Sequence, residues 1–194
     1  MKSNGIDYVE MNEEETPQAI AMAKYFYQYQ DVRNVVDVGC GTGLYLKPYK
    51  DLAPACCVHG YDISEEARKN QVIPITVMDI TSKDFIGVFP MFADLMYCIE
   101  TLEHIPADKT DAFIINSLQL ACSPPIIAFS GAYPGQGGSG HINCRVKENW
   151  EYLWYSYRYM YDRHATLSCL NYVKANAKIW EGWLISNLMI LRKF

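Results

Sequence analysis

Three short stretches of this chain carry residue types suited to holding a nucleotide-like ligand. The first, Asp37-Val38-Gly39-Cys40-Gly41-Thr42-Gly43, closes an apolar run. Its glycines allow a tight turn and a close approach of main chain to a bound molecule, and a helix starting after it would aim its free amides at that molecule. The second is Asp62, within Gly60-Tyr61-Asp62-Ile63-Ser64. It stands about 20 residues beyond the glycines, where a carboxylate can accept both hydroxyls of a ribose. The third is Asp79, within Val77-Met78-Asp79-Ile80, placed to accept from an exocyclic amine on a base. A lone glycine run reads as readily as a plain turn, and a lone acid as a helix cap. Three such features in order, each at the end of a strand, favour a ligand site. A separate set, Glu103, His104 and His141, offers groups able to take a proton from a reacting hydroxyl. The competing reading of Glu103-His104 is structural, a pair that caps the following turn and holds the loop.

The elements that must position these groups alternate. Thr16-Pro17 is expected as an N-cap and first helical residue, with Ala19, Ile20, Ala23, Phe26 and Tyr27 recurring at helical spacing to Gln30. Val32 to Val38 predicts a buried strand, Leu44 to Lys50 a short helix interrupted by Pro48, Ala55 to Tyr61 a second strand, and Ser64 to Arg68 a capped turn of helix. Gln71 to Met78 and Phe92 to Ile99 predict the third and fourth strands, Asp108 to Ala121 a helix, and Pro125 to Ser130 the fifth strand. Lys147 to Asp162 is aromatic-rich with helical period, and Asn187 to Leu191 is strand-like. The fold class is therefore α/β: a doubly wound, mostly parallel sheet of about seven strands, helices on both faces, and an antiparallel C-terminal strand. In such sheets ligands bind beyond the carboxyl ends of the strands, which is where the glycine run falls.

Size and charge narrow the classes. The 194 residues make one domain, 1–194, with a helical cap over 1–31 and a glycine-rich loop over 131–146. Half the residues are hydrophobic and the formal net charge is -5, with no block of Lys and Arg, which argues against a nucleic-acid partner. Seven cysteines include no Cys-x-x-Cys pair, and no histidine spacing completes a zinc site, so no metal is expected. Cys56 and Cys98 read as small buried hydrophobes, His59 as a packed strand residue, and His164 as a surface residue. Met1 to Asp7 lacks the apolar stretch of a signal peptide, and no run of 18 apolar residues exists. The expected location is the cytoplasm, with no membrane partner.

Leu44 stands where a nicotinamide fingerprint needs its third glycine, and no Gly-Lys-Ser/Thr follows as in a P-loop. With Asp37 two residues before the first glycine, the run resembles the first motif of class I S-adenosylmethionine (SAM)-dependent methyltransferases. Asp94-Leu95-Met96-Tyr97-Cys98-Ile99-Glu100-Thr101-Leu102-Glu103-His104-Ile105 resembles the fourth-strand segment of that superfamily, and the matches span Val35 to Ser130. The resemblance implies SAM as cofactor. Asp37 would face its methionine part, Gly39, Cys40, Gly41 and Gly43 would form the turn beneath it, and Asp62 and Ile63 would hold the ribose. Asp79 and Ile80 would lie at the adenine, and Ile99 and Glu100 would line the methionine end.

The segment Tyr133 to Asn143 directly follows the fifth strand. It resembles a Gly-Gln-Gly-Gly-x-Gly-His-x-Asn loop in small methyltransferases of bacterial and phage origin. Ordering so many glycines costs chain entropy, which favours a lid over Gly135 to Asn143 rather than a plain connector; His141 and Asn143 would share one side of an extended loop. Ser123-Pro124-Pro125 precedes the fifth strand and lacks the aromatic residue of amino-methylating nucleic-acid enzymes. Trp150, Tyr152, Trp154, Tyr155, Tyr157, Tyr159 and Tyr161 read as amphipathic packing or a candidate subunit interface rather than a stacking platform, and the oligomeric state stays open. The expectation is methyl transfer to oxygen of a small molecule or glycan. Its rivals are a nucleic-acid methyltransferase and a non-catalytic SAM-binding sensor or inhibitor.

Overall fold

The computed structural model describes residues 8–82 and 90–194; the signal-peptide reading of Met1 to Asp7 falls outside them. Seven strands form one sheet: β1 Asn34–Val38, β2 Cys57–Asp62, β3 Thr76–Val77, β4 Leu95–Cys98, β5 Ile126–Phe129, β6 Tyr159–Tyr161 and β7 Met189–Lys193. Their order is β3-β2-β1-β4-β5-β7-β6. The first five run parallel, and β7 inserts antiparallel to both β5 and β6. The expected fold class is thus found, and strand order reverses at β1.

Period-two alternation along the strands assigns the two faces. Val35, Leu95, Tyr97, Ala128 and Ile190 lie on one, covered by α1 Tyr8–Tyr29, α2 Lys47–Leu52 and α6 Arg163–Ala177. Val36, Met96, Cys98, Ile127, Phe129 and Leu191 lie on the other, with Phe113 and Ile114 from α4 Thr110–Leu120 and Trp150 and Trp154 from α5 Lys147–Ser156. The described residues also hold two short helices, α3 Glu65–Lys69 and α7 Trp183–Asn187, and 3-10 turns over Leu102–His104 and Ala107–Lys109. Asp37, in register with Val35, points into the α1 face.

Several elements differ from expectation, each for a local reason. The first helix starts eight residues before Thr16, and Pro17 lies inside it. Thr16 is not a cap; its hydroxyl donates back to the Asn12 carbonyl at 2.5 Å, and Pro17, which has no N–H, makes no ladder bond of its own. The third strand is only two residues long because it pairs with Tyr61 and Asp62 alone. His59, expected in the core, is therefore exposed beyond the end of that pairing. The helix predicted to run to Asp162 ends at Ser156. Arg158 adopts a left-handed φ of 71° and turns the chain into β6. All seven cysteines are free, with Cys56 and Cys98 buried as expected, and His164 is exposed.

Trp154 is fully buried between Phe129 and Tyr159, with edge-on ring centroids at 5.4 and 6.1 Å, but its indole N–H has no hydrogen-bond partner. Packing rather than hydrogen bonding must hold it. Trp154→Ala should cost about 3–5 kcal/mol in urea denaturation, and Trp154→Phe less than half of that. Equal losses in both variants would assign the stabilisation to the indole nitrogen.

Candidate functional site

The glycine turn leaves β1 with left-handed residues at Gly39 (φ 72°) and Gly41 (φ 53°). A Cβ on Gly39 would overlap the Thr101 side chain, so glycine there lets the turns after β1 and β4 touch. A Cβ on Gly41 would meet only Met11 Cε at 4.0 Å; this glycine faces open space. The turn is fixed to β2 by Gly39 N–H and Cys40 N–H donating to the Tyr61 carbonyl at 2.8 and 3.0 Å. Asp62 then accepts Gly41 N–H on Oδ2 and Ser64 N–H on Oδ1, both at 2.8 Å. Each carboxylate oxygen keeps a lone pair. Asp79 accepts the amide and hydroxyl of Thr81 on Oδ1 at 2.9 and 2.6 Å, leaving Oδ2 for a ligand.

These groups line a cavity of about 380 Å³ at the carboxyl ends of β1 to β4. Its wall includes Asp37, Cys40, Ile63, Ile80, Ile99 and Glu100 from the sheet side, Tyr8, Met11 and Glu15 from α1, and Trp183 from α7. Asp37 is buried, and desolvation, then the charge of Asp62, pushes its carboxyl up to about 8. Burial likewise raises Glu15 to about 7, and the Tyr45 hydroxyl donates to it at 3.3 Å. Cys40 is held as a thiol, raised by burial and then by Asp37 and Asp62.

At the far end of the cavity stand the three candidate bases. His104 lines the wall; burial first, then His141, lowers its pKa. His141 lies edge-on to it, ring centroids 4.9 Å apart. Glu103 is fully buried behind them, its Oε1 accepting Ala132 N–H at 3.2 Å. Desolvation, then the charge of Glu100, raises its pKa well above the usual carboxylate range. Its own carbonyl accepts Ile142 N–H and Asn143 N–H at 2.8 and 2.9 Å. Asn143 is turned inward, donating to the Leu102 carbonyl and Thr110 Oγ1 at 3.2 and 3.1 Å, so it does not share a role with His141. Glu100 has a left-handed φ of 45° and accepts Gln136 Nε2 at 2.8 Å and Asn187 Nδ2 at 3.0 Å. The 131–146 loop is thereby tied to the end of β4 from both sides, with its Gly137 to Gly140 tip exposed.

Residues 13–120, more than half of the chain, match the family described as "Methyltransferase domain". The chain belongs to that family. Solved structures resemble this methyltransferase-family protein at the level of fold. The plantazolicin methyltransferase BpumL, in complex with a pentazolic desmethylPZN analog and SAH, has a TM-score of 0.61 and 16% identity over 94% of this chain and 85% of its own. The O-methyltransferase of a trans-AT PKS multienzyme of Brevibacillus brevis, in complex with S-adenosyl-L-homocysteine, scores 0.60 at 15% identity over 95% and 75%. Magnesium protoporphyrin IX methyltransferase from Synechocystis PCC 6803, with bound SAM, scores 0.58 at 16% identity over 98% and 85%. No curated protein sequence matches the chain.

Of the residues singled out from sequence, Asp37, Gly39, Cys40, Gly41, Asp62, Ile63, Asp79, Ile80, Ile99, Glu100 and His104 line one cavity. Gly43 lies apart from it: with φ 81° it lets the chain pass close to Ile73 and Ile75. Glu103 and His141 sit behind His104 rather than on the wall. Sequence reasoning missed Glu15, Tyr45, Asn187 and Trp183. Glu15 falls on the same helical face as Met11 and Tyr8 at spacings of four and three, a signal hidden while the helix was taken to begin at Thr16.

Asp37 yields a signed prediction. Its pKa is 3.8 when unperturbed and about 8 when folded. The folded protein binds this proton more tightly, so the contribution is complete below 3.8 and lost as pH rises to about 8. Thermal melts of the ligand-free protein should therefore show Asp37→Asn gaining on wild type as pH is raised from about 5.5 to about 8.5. A constant offset between the two proteins across that range would mean that Asp37 does not titrate there.

Proposed function

We propose that this protein transfers the methyl group of SAM to an oxygen atom of a small molecule or glycan. The observation that carries the reading is the density of carboxyl groups on the cavity wall. Glu15, Asp37, Asp62, Asp79 and Glu100 line it, against a single lysine, Lys109, among the described residues. SAM has two positive centres and one carboxylate, so an acid-walled cavity suits it and repels a pyrophosphate-bearing dinucleotide. When bound, SAM supplies a methyl made electrophilic by its sulfonium.

The chain's share is to bind, orient and exclude water. Gly41 leaves room against the main chain, and the spare lone pairs of Asp62 suit the two ribose hydroxyls. Asp79 and the main chain at Ile80 suit the base. Asp37 and Glu100 suit the cationic amino-acid end, where a positive group would draw the Asp37 proton off. At the acceptor end, His104 meets the cavity, with Glu103 and His141 behind it and the 131–146 loop as its cover. An oxygen acceptor is favoured because a hydroxyl must lose its proton as it is methylated and this end concentrates imidazoles. The fold relative from Brevibacillus brevis is itself an O-methyltransferase. The net charge of -5 weighs against nucleic acid.

Calorimetry should detect binding of SAM and S-adenosylhomocysteine and none of NAD; the opposite result ends the reading. Asp62→Ala removes two charge-assisted hydrogen bonds to ribose, each worth about 1.5–3 kcal/mol, so SAM affinity should fall at least 100-fold. Transfer of labelled methyl from SAM should be screened over hydroxyl-bearing metabolites and sugars. On the acceptor so found, His104→Ala should lower kcat about 100-fold while SAM affinity stays within a factor of two. Transfer to amines alone would overturn the oxygen assignment.

A further inference from the structure

We propose that Glu103, His104 and His141 form a binding site for one divalent transition-metal ion at the acceptor end of the cavity. One carboxylate oxygen and one ring nitrogen from each histidine lie within 4.8 Å of one another. Bonds of about 2.0–2.3 Å to a shared ion set neighbouring ligand atoms about 3 Å apart, a contraction within reach of side-chain torsions.

Independent observations point the same way. Glu103 is fully buried, yet its Oε2 has no hydrogen-bond partner; the other oxygen is held by Ala132 N–H, which orients the carboxylate. Nδ1 of His141 is also buried without a partner. Buried polar atoms left in this way require an explanation, and two of them fall within one cluster of three residues. His104 Nδ1 lies 3.1 Å from the Gly140 carbonyl and donates to it, since a carbonyl can only accept. Nε2 then carries the lone pair, as in metal-bound histidines oriented by a main-chain carbonyl.

The supporting loop is shaped by the same three side chains. Ile142 and Asn143 donate to the Glu103 carbonyl, fixing His141 beside it. A Cβ on Gly138 would collide with the His141 ring, and one on Gly140 would come within 3.3 Å of His104 Nδ1. The glycines there are what lets the loop close over two imidazoles. Two nitrogens and one carboxylate oxygen suit borderline ions such as Mn2+, Co2+ or Zn2+ better than Ca2+. Three protein ligands leave at least one position open. A dication there would supply Lewis acidity beside the cavity and ease loss of an acceptor hydroxyl's proton to solvent. That catalytic consequence rests on the proposed function; metal binding itself does not.

The test uses full-length protein stripped with chelator. It is titrated with Co2+ alone, followed by visible absorption, and with Mn2+ alone, followed by loss of the free-ion electron spin resonance. One equivalent should bind, and His104→Ala and His141→Ala should each weaken it at least tenfold while melting temperatures stay near wild type. Glu103→Gln should do the same; if it fails to fold, the histidine variants decide. No saturable binding at millimolar metal, or binding unchanged in both histidine variants, overturns the site and leaves an edge-on imidazole pair over a buried carboxyl. SAM binding and methyl transfer are read in parallel. Transfer at full rate in chelator overturns the catalytic consequence alone and leaves the proposed function standing, the metal site being decided by the titrations. A saturable, histidine-dependent metal site without SAM affinity upholds the site and sinks the function.

Discussion

The carboxylate of Asp62 accepts a main-chain amide from each of the two loops that flank it, Gly41 on one side and Ser64 on the other, and the cavity takes its shape from that bridge. Other bonds hold the glycine turn elsewhere, to the Tyr61 carbonyl, from Val72 N–H to the Thr42 carbonyl, and from Thr42 Oγ1 to Asn12, but Asp62 is what joins Gly41 to the loop after β2. Glu103 performs a parallel service at the other end, binding Ala132 through its side chain and Ile142 and Asn143 through its carbonyl. Each acid fixes main chain with part of its capacity and keeps the rest for something else. Asp62 does this at the end of its strand and Glu103 in the turn beyond β4, where neighbouring amides are not yet paired within the sheet.

Much of this was legible in the sequence because it depends on local pattern. β-branched runs ending in glycine or aspartate give strands and their carboxyl-end turns, and Asp37, Asp62 and Asp79 follow from where those runs stop. What was illegible depends on contacts between distant segments. The third strand is short because only Tyr61 and Asp62 find partners in it, which no property of residues 71–78 announces. The helix after Lys147 breaks at a left-handed Arg158 even though its aromatic spacing continues unbroken. His104 and the loop that ends in His141 are brought together across 36 residues, so a search for ligands at fixed spacing passes over them. Asn187 reaches Glu100 across 87 residues, equally beyond any local signal.

The cavity wall is unusual in how much acid it keeps close together. Desolvation raises the carboxyls of both Asp37 and Glu15, Asp37 the further of the two, so the ligand-free protein avoids the full repulsion of its own wall. A cationic guest reverses that balance and turns the same groups into its counter-charges. The left-handed Glu100, a non-glycine residue held there by hydrogen bonds from Gln136 and Asn187, belongs to the sort of local strain that accumulates where a site must be rigid.

The position of β7 between β5 and β6 bears on how the protein can be made. Synthesis proceeds from the N-terminus, yet residues 189–193 occupy an interior place in the sheet, and Asn187 just before them secures Glu100. A nascent chain that has emerged only as far as α6 lacks β7, so β5 has no partner on that side and Glu100 lacks Asn187. Such a chain must wait with apolar Ile127 and Phe129 only partly covered, which is when a ribosome-bound chaperone would have most to do. Completion of the sheet and the securing of Glu100 then fall together, both waiting on residues 187–193.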